Sequence, residues 1–174
     1  MPKVILIGPP GAGKSSVGKA LGQRLSTTFA DTDSLIEHES GLRVSEIFLD
    51  KGEPFFRDLE EKIVLRELIE CDGVLALGGG SVMNPDVAQA LRGSSHPICF
   101  LDVSLSSAAP RIGFNRDRPL LVGNPRAKWQ ELMNIRRPIY ESLASFTIST
   151  DSGTPSQIAQ EIAKVLSKRE EVNS

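Results

Sequence analysis

The feature that most constrains this chain is a glycine-rich run that directly follows a short apolar segment. The apolar segment is Val4-Ile5-Leu6-Ile7, and its β-branched residues are typical of a buried strand. The run is Gly8-Pro9-Pro10-Gly11-Ala12-Gly13-Lys14-Ser15, which fits the pattern of a glycine, four free positions and Gly-Lys-Ser. The alternative is an accidental glycine-rich turn, but the fixed positions between a strand and a helix disfavour it. The run therefore predicts binding of a nucleoside triphosphate.

Each part of this loop has a physical task. The glycines let the backbone turn its N–H groups toward phosphate oxygens. Lys14 adds a positive charge, and the Ser15 hydroxyl is a suitable Mg²⁺ ligand. The helix predicted from Ser15 to about Leu25 directs the positive end of its dipole at the same phosphates. We therefore predict nucleotide contacts from Gly11, Ala12, Gly13, Lys14, Ser15 and Ser16.

The composition is ordinary for a globular protein, with 40% hydrophobic and 24% charged residues among 174. This length predicts one domain at 1–168, followed by a charged, flexible tail at 169–174. The formal net charge of −2 gives no reason to expect a nucleic acid partner. Cys71 and Cys99 lack metal-ligand spacing, so we expect buried free thiols in a reducing compartment. Without a long apolar run, a signal peptide or a heptad pattern, we expect a cytoplasmic monomer with no membrane partner.

Strand and helix signals alternate along the chain. Strands are predicted at 3–7, 28–31, 73–77, 97–102 and 145–149. Helices are predicted at 14–25, 33–39, 45–50, 54–70, 85–92, 105–113, 125–143 and 156–168. This alternation predicts an α/β fold in which helices cover both faces of a parallel sheet. Ligands of such sheets bind at the carboxyl ends of the strands, so residues that follow strands are the first candidates for a site.

Two groups of residues follow predicted strands in this way. Asp31-Thr32-Asp33 comes after the second strand. Its carboxylates either cap the next helix or contact a magnesium ion and an acceptor hydroxyl. Beside a phosphate loop we favour the functional role, with Asp31 toward the metal and Asp33 toward the acceptor. Gly78-Gly79-Gly80 comes after the third strand, where one glycine would suffice for a tight turn. Three glycines favour a surface that a ligand approaches closely.

Several arginines are candidates for binding anions. Arg57 has the geometry to hold a carboxylate, although its spacing alone favours a helical ion pair with Glu60 or Glu61. Segment 113–126 resembles an exposed loop or lid, and one of its arginines is expected over the transferring phosphate unless the loop is merely solvated. Arg136 and Arg137 point about 100° apart on a helix, so at most one enters a given pocket. Pro138 predicts a kink or a break there.

This ordered set of motifs resembles the shikimate kinase family, which belongs to the nucleoside monophosphate kinase-like P-loop kinases. The resemblance covers Lys3 to about Leu166 and includes the phosphate loop, Asp31-Thr32-Asp33, Phe56-Arg57-x-x-Glu60, Gly78-Gly79-Gly80, Arg118-Pro119-Leu120-Leu121 and Arg136-x-Pro138-x-Tyr140. It implies a three-layer α/β/α fold with a five-stranded parallel sheet in the order 2-3-1-4-5. It also implies transfer of the γ-phosphate of ATP to the 3-hydroxyl of shikimate, with one Mg²⁺, in aromatic amino-acid biosynthesis.

The resemblance further implies a role for each site residue. The catalytic residues would be Lys14, Asp33 and Arg118, and the metal would be held by Ser15 and Asp31. Nucleotide contacts would include Arg111, Arg118 and Pro155 in addition to the phosphate loop. Shikimate contacts would come from Asp33, Phe48, Phe56, Arg57, Glu60, Gly78, Gly79, Gly80 and Arg136, with Pro119 and Leu120 on the apolar side. The substrate-binding region would span about 32–60, and the lid about 112–125.

Some positions depart from the family pattern, and two other functions stay open. Asp151-Ser152-Gly153-Thr154 lacks an arginine that some members carry in the adenine loop, and Ala76-Leu77 stands where many carry a hydroxyl. Arg116 matches no family role and is expected to be solvated. The alternatives are a related small-molecule kinase, such as a gluconate or nucleotide kinase, and a non-catalytic ATP-binding module that regulates a partner.

Overall fold

Five parallel strands form one sheet within residues 1–112 and 123–174, which are the residues that this computed structural model describes. The strands are β1 (Val4–Ile7), β2 (Phe29–Asp31), β3 (Val74–Ala76), β4 (Ile98–Asp102) and β5 (Phe146–Ser149). Their order in the sheet is β2-β3-β1-β4-β5, which confirms the predicted topology. The central strand β1 pairs with β3 through Leu6 and Ala76 and with β4 through Leu6 and Cys99. Every residue of β1 is buried, as expected for a strand that is covered on both faces.

Helices follow the strands and flank the sheet. They are α1 (Lys14–Arg24), α2 (Thr32–Ser40), α3 (Val44–Lys51), α4 (Glu53–Glu70), α5 (Pro85–Gly93), α6 (Leu105–Ile112), α7 (Pro125–Leu143) and α8 (Pro155–Asn173), with a 3₁₀ turn at Ser81–Met83. Helix α1 packs against α8, whereas α5 contacts both α4 and α7. Two helices are capped at their N-termini: Asn84 accepts from the N–H groups of Asp86 and Val87 at the start of α5, and Thr154 accepts from the N–H of Gln157 at the start of α8. None of the described helices is long and apolar enough to cross a membrane.

The buried apolar side chains form two clusters. The larger one lies around the sheet and the helices that cover it. A smaller one consists of Ile36, Ile47, Phe56 and Ile63 from α2, α3 and α4. The rings of Phe48 and Phe56 pack there with their centroids 4.9 Å apart. The region predicted to bind the substrate thus has an apolar cluster of its own.

The structure confirms that both cysteines are buried free thiols. Cys99 lies in β4 and is fully inaccessible, and this burial raises the pKa of its thiol. Burial also raises the pKa of Cys71. Both side chains therefore act as small apolar residues in the core.

Two helix predictions differ from the structure: the break suggested at Pro138 is absent, and the last helix does not end at residue 168 as predicted. Helix α7 is continuous through Pro138, where the sequence suggested a break or a kink. The proline ring lies on the exposed side of the helix, so only the hydrogen bond to the Asn134 carbonyl is lost. Helix α8 continues to Asn173 and therefore includes most of the predicted flexible tail. No glycine or proline follows Leu166, so no helix breaker stops α8 at the predicted end.

We expect Pro138→Ala to raise the free energy of unfolding by about 2 kcal/mol. Alanine restores an interior helical hydrogen bond, and the greater freedom of the unfolded chain offsets only part of this gain. The matched control is Pro125→Ala, because proline at the first helical position loses no hydrogen bond and the change should stay within about 0.5 kcal/mol. Urea denaturation of both variants measures the difference. Equal changes in the free energy of unfolding for the two variants would mean that Pro138 does not destabilise α7.

Candidate active site

The predicted nucleotide contacts line one cavity of about 460 Å³ at the carboxyl ends of the strands. Its lining includes Gly11, Ala12, Gly13, Lys14, Ser15, Ser16, Asp31, Asp33, Leu77, Gly79, Arg111 and Pro155. The cavity therefore joins the phosphate loop to residues that follow β2 and β3. This arrangement follows from the sheet, because parallel neighbours end at the same edge.

The phosphate loop enters α1 through glycines in the left-handed region. Gly11 and Gly13 both have φ near 83°, a conformation that side-chain-bearing residues seldom adopt. Helix α1 begins at Lys14, so its first N–H groups and the positive end of its dipole face the cavity. The Lys14 ammonium donates to the carbonyls of Gly8 at 2.7 Å and Pro9 at 3.0 Å. Positive charge is thus concentrated where phosphate oxygens would bind.

Asp31 caps α2 with one carboxylate oxygen and contacts Ser15, the other predicted metal ligand, with the second oxygen. Its Oδ1 accepts from the N–H groups of Asp33 at 3.0 Å and Ser34 at 3.3 Å, which caps α2. Its Oδ2 accepts from the Ser15 hydroxyl at 2.5 Å. A serine hydroxyl and a carboxylate at this distance are hard oxygen ligands of the type that Mg²⁺ selects. In the described residues, no cluster of three or more acidic, histidine or cysteine side chains could hold a metal. The pair therefore suits an ion that takes its other ligands from phosphates and water.

The triple glycine after β3 leaves room for charged side chains. An alanine Cβ built at Gly78 would lie 2.7 Å from Asp33 Oδ1 and 2.8 Å from Glu60 Oε2. A Cβ at Gly80 would lie 2.6 Å from both terminal nitrogens of Arg57. Three predicted acceptor contacts from two helices thus lie directly against this loop. Their closeness explains why one glycine would not suffice.

Arg57 forms the ion pair that its spacing suggested and still lies beside Gly80. Its Nη1 donates to Glu60 at 2.7 Å, and its Nε donates to Glu53 at 3.3 Å. Burial by itself lowers the pKa of Arg57, but the charges and hydrogen bonds of Glu60 and Glu53 outweigh it and raise the pKa. Glu60 is only 3% exposed, so it holds the guanidinium from the buried side. The ion pair therefore orients Arg57 toward the glycines.

Arg136 is the buried member of the adjacent arginines Arg136 and Arg137, as the resemblance implied. Arg136 is 5% exposed, and its Nε has no hydrogen-bond partner among the described residues. A Cβ built at Gly79 would lie 3.3 Å from Arg136 Nη1 and 3.3 Å from Pro10 Cδ. Arg137 instead forms two 3.0 Å hydrogen bonds with the carboxylate of Asp102. A buried cation with an unused donor is costly to the fold, and this arrangement indicates a site for an anion.

Arg111 and Pro155 line the part of the cavity formed by α6 and α8. Arg111 donates from Nη1 to the Gly11 carbonyl at 3.2 Å and to Thr150 Oγ1 at 3.1 Å, and from Nη2 to the Thr150 carbonyl. In the segment without the family arginine, Asp151 accepts from the Ser104 N–H at 2.8 Å. That backbone hydrogen bond lowers the pKa of Asp151. The aspartate therefore supports the loop as a carboxylate.

Three buried residues that sequence reasoning missed hold the loops of the site. Thr32 Oγ1 accepts from the Gly78 N–H at 3.0 Å. Trp129 Nε1 donates to the Pro10 carbonyl at 2.8 Å, and the Tyr140 hydroxyl donates to the Gly79 carbonyl at 2.6 Å. Helical spacing places Trp129, Arg136 and Tyr140 on one face and could have suggested their buried positions, but not these partners.

The remaining predicted residues divide into two groups. Phe56 is buried in the smaller cluster, beside Phe48 and under the Arg57 guanidinium at 5.2 Å. Arg116, Arg118, Pro119 and Leu120 lie outside the described residues, as does most of the predicted lid.

Comparisons with known proteins agree with this geometry. A family model described as "Shikimate kinase" matches residues 10–167. A curated shikimate kinase of Thermobifida fusca is 47% identical over 165 residues, covering 95% of each chain. The structure described as "Shikimate kinase from Acinetobacter baumannii in complex with shikimate" aligns with a TM-score of 0.92 at 32% identity, covering 97% of this chain and 94% of that one. A gluconokinase from Sinorhizobium meliloti 1021 aligns over 97% and 93% of the two chains with a TM-score of 0.57 at 19% identity, a likeness that shows the fold alone.

We expect Thr32→Val to lower the free energy of unfolding by about 1–3 kcal/mol, because it leaves the buried N–H of Gly78 without its acceptor. The matched control is Thr27→Val, which removes an exposed hydroxyl that donates to the Asp72 carbonyl. That change should cost about 0.5 kcal/mol or less, since water replaces the lost partner. Urea denaturation compares the two variants. A cost at Thr32 no larger than at Thr27 would show that Thr32 does not anchor the triple glycine.

Proposed function

The chain belongs to the shikimate kinase family, and from this premise we propose which of its residues transfer the γ-phosphate of ATP to the 3-hydroxyl of shikimate. The activity is that of an ATP-dependent phosphotransferase with an alcohol acceptor. Such a reaction requires positioning and charge neutralisation rather than covalent chemistry from the protein. The site must therefore hold two anionic substrates in contact and neutralise both.

One observation carries the assignment: Gly79 lies between the phosphate loop and the buried Arg136. Positions equivalent to a Cβ on Gly79 are 3.3 Å from Pro10 and 3.3 Å from Arg136. A ligand lying over the glycines would thus contact the phosphate loop on one side and a fixed cation on the other. An acceptor with a carboxylate at one end and hydroxyls at the other matches this arrangement: the carboxylate would face the cation, and a hydroxyl would face the phosphate loop.

Arg57 and Arg136 would bind the shikimate carboxylate. Each guanidinium lies against one glycine of the loop, and planar guanidinium groups pair with carboxylates through two parallel hydrogen bonds. Glu60 would hold Arg57 in place, and Arg136 has an unused Nε donor. The backbone of the glycines would contact the ring hydroxyls. Phe48 and Phe56 would supply the apolar side of the acceptor site.

Asp33 would orient the attacking hydroxyl and accept its proton. It follows the capping residue Asp31 at the start of α2, so its position is fixed by a short, capped turn. Its Oδ1 lies near Gly78, at the boundary between the acceptor loop and the nucleotide cavity that Asp33 also lines. A carboxylate at this boundary is within reach of a hydroxyl that faces the γ-phosphate.

The phosphate loop, with Lys14, would neutralise the phosphates of ATP. Ser15 and Asp31 would hold Mg²⁺, with Asp31 contacting it through water; when bound, the ion supplies charge neutralisation at the phosphate oxygens. Arg111 and Pro155 would contact the adenine end. Arg118 stays a prediction for a cation over the transferring phosphate, because it lies outside the described residues. We also propose that the enzyme is a monomer and that it acts in the cytoplasm. The buried free thiols support the second assignment, because a reducing compartment keeps thiols free.

We expect Arg136→Ala to raise KM for shikimate about 10- to 100-fold with little change in KM for ATP, because it removes a charged, buried contact to the carboxylate. The matched control is Arg137→Ala, which removes the neighbouring arginine and its ion pair with Asp102 outside the cavity. That control should keep both constants within about twofold, since partly exposed ion pairs contribute little. Steady-state kinetics with shikimate and gluconate test acceptor choice as well. A similar KM for shikimate in the two variants would contradict the role of Arg136. Better turnover of gluconate than of shikimate by the wild type would contradict the choice of acceptor.

We expect Asp33→Asn to lower kcat about 10²- to 10⁴-fold while leaving ATP affinity nearly unchanged, because an amide cannot accept the hydroxyl proton. Asp58→Asn, an exposed aspartate on α4, is the control for loss of one carboxylate. Single-turnover kinetics and an ATP-binding titration separate the chemical step from binding. Normal turnover by Asp33→Asn would show that Asp33 is not the proton acceptor and only stabilises the first turn of α2.

A further inference from the structure

One face of α7 connects the two loops that the proposed function assigns to the two substrates. The buried residues of this helix are Trp129, Met133, Arg136, Tyr140 and Leu143. Trp129 donates to the phosphate loop, and Tyr140 donates to the triple-glycine loop. Arg136 lies between them in sequence and beside Gly79 in space. A single rigid helix thus contacts both halves of the site.

Trp129 completes a set of side-chain donors around the phosphate loop. Four successive carbonyls accept from side chains: Gly8 and Pro9 from Lys14, Pro10 from Trp129, and Gly11 from Arg111. A trans peptide is planar, with its C=O and N–H pointing in opposite directions. Fixing the Pro10 carbonyl on the indole therefore also fixes the direction of the Gly11 N–H. That N–H belongs to the loop that faces the phosphates.

Tyr140 has the same relation to the acceptor loop. It is 0% exposed, and its ring stacks on Phe100 with the centroids 5.1 Å apart. Its hydroxyl donates to the Gly79 carbonyl at 2.6 Å, so it fixes the direction of the Gly80 N–H through the same peptide geometry. Burial raises the pKa of this phenol to about 12. The hydroxyl therefore keeps its proton, and its role as a donor, throughout the neutral and mildly alkaline range.

We propose that Trp129 and Tyr140 are positioning residues with separate duties: the indole N–H orients the Gly11 amide for ATP, and the phenol hydroxyl orients the Gly80 amide for the acceptor. This inference rests on the proposed function, because it assigns each amide to one substrate. Simple core packing would require the rings but not their polar atoms. Both polar atoms instead donate to carbonyls of ligand-facing loops. Variants that keep the ring and remove the donor therefore distinguish positioning from core packing.

The experiment measures KM for ATP and for shikimate in Trp129→Phe and Tyr140→Phe, each at saturating co-substrate. Trp129→Phe should raise KM for ATP about fivefold and keep KM for shikimate within about twofold, because one buried hydrogen bond is lost. Tyr140→Phe should raise KM for shikimate about fivefold and keep KM for ATP within about twofold, for the same reason. The matched control is Ser142→Ala on the same helix, whose hydroxyl donates to the Ile139 carbonyl away from the site. It should change neither constant.

A second Trp129 variant excludes the smaller volume of phenylalanine as the cause. The chain has one tryptophan, so growth with 3-benzothienylalanine replaces position 129 alone and keeps a bicyclic ring without an N–H. This protein should share the raised KM for ATP. Unchanged constants with lowered thermal stability, or equal shifts of both constants in both variants, would overturn the inference. If Arg136→Ala still raises KM for shikimate in that case, the carboxylate assignment stands and only the positioning roles fail.

Discussion

The parallel pairing of β1 with β3 is the constraint on which the rest of the site depends. Leu6 and Ala76 lie opposite each other in register, so the two strands end at the same edge of the sheet. The phosphate loop leaves one strand there, and the triple glycine leaves its neighbour. Neighbouring strands in a sheet are about 4.8 Å apart, so this spacing alone places the two loops next to each other. Direct transfer between two bound substrates requires this closeness, because an intervening gap would admit water.

Charge in the site is held by different means on its two sides. The proposed nucleotide side has backbone N–H groups, a helix dipole and the partly buried Lys14. The proposed acceptor side has two arginines, one paired with the buried Glu60 and the other with an unused Nε. Keeping such a cation buried costs stability, and a bound carboxylate would recover that cost. Under the proposed function, part of the energy of acceptor binding would come from relieving this cost.

The sequence predicted the sheet and its order because each strand is a short apolar run between turn residues, and because the ordered motifs resemble a known family. It also predicted which residues follow the strands, since that depends only on local signals. It favoured a magnesium role over a helix cap for Asp31, and the structure shows that one carboxylate oxygen caps α2 while the other accepts from Ser15. Helix geometry alone left Arg136 and Arg137 as alternatives and only the resemblance selected Arg136, although the helical spacing of Trp129, Met133 and Tyr140 also places Arg136 on the buried face. The hydrogen bonds from Trp129 and Tyr140 could not be predicted, because their carbonyl partners are remote in sequence and are selected by tertiary packing.

The small apolar cluster formed by Ile36, Ile47, Phe56 and Ile63 has a consequence for amide hydrogen exchange. These residues stabilise α2, α3 and the start of α4 separately from the larger cluster around the sheet. A unit with few buried contacts opens at a lower free energy than the main core, and its amides exchange with solvent through local opening rather than global unfolding. Asp33 and Arg57 belong to this unit, whereas Arg136 and the phosphate loop are anchored to the sheet. We therefore expect amides on the proposed acceptor side to exchange more readily than those on the proposed nucleotide side.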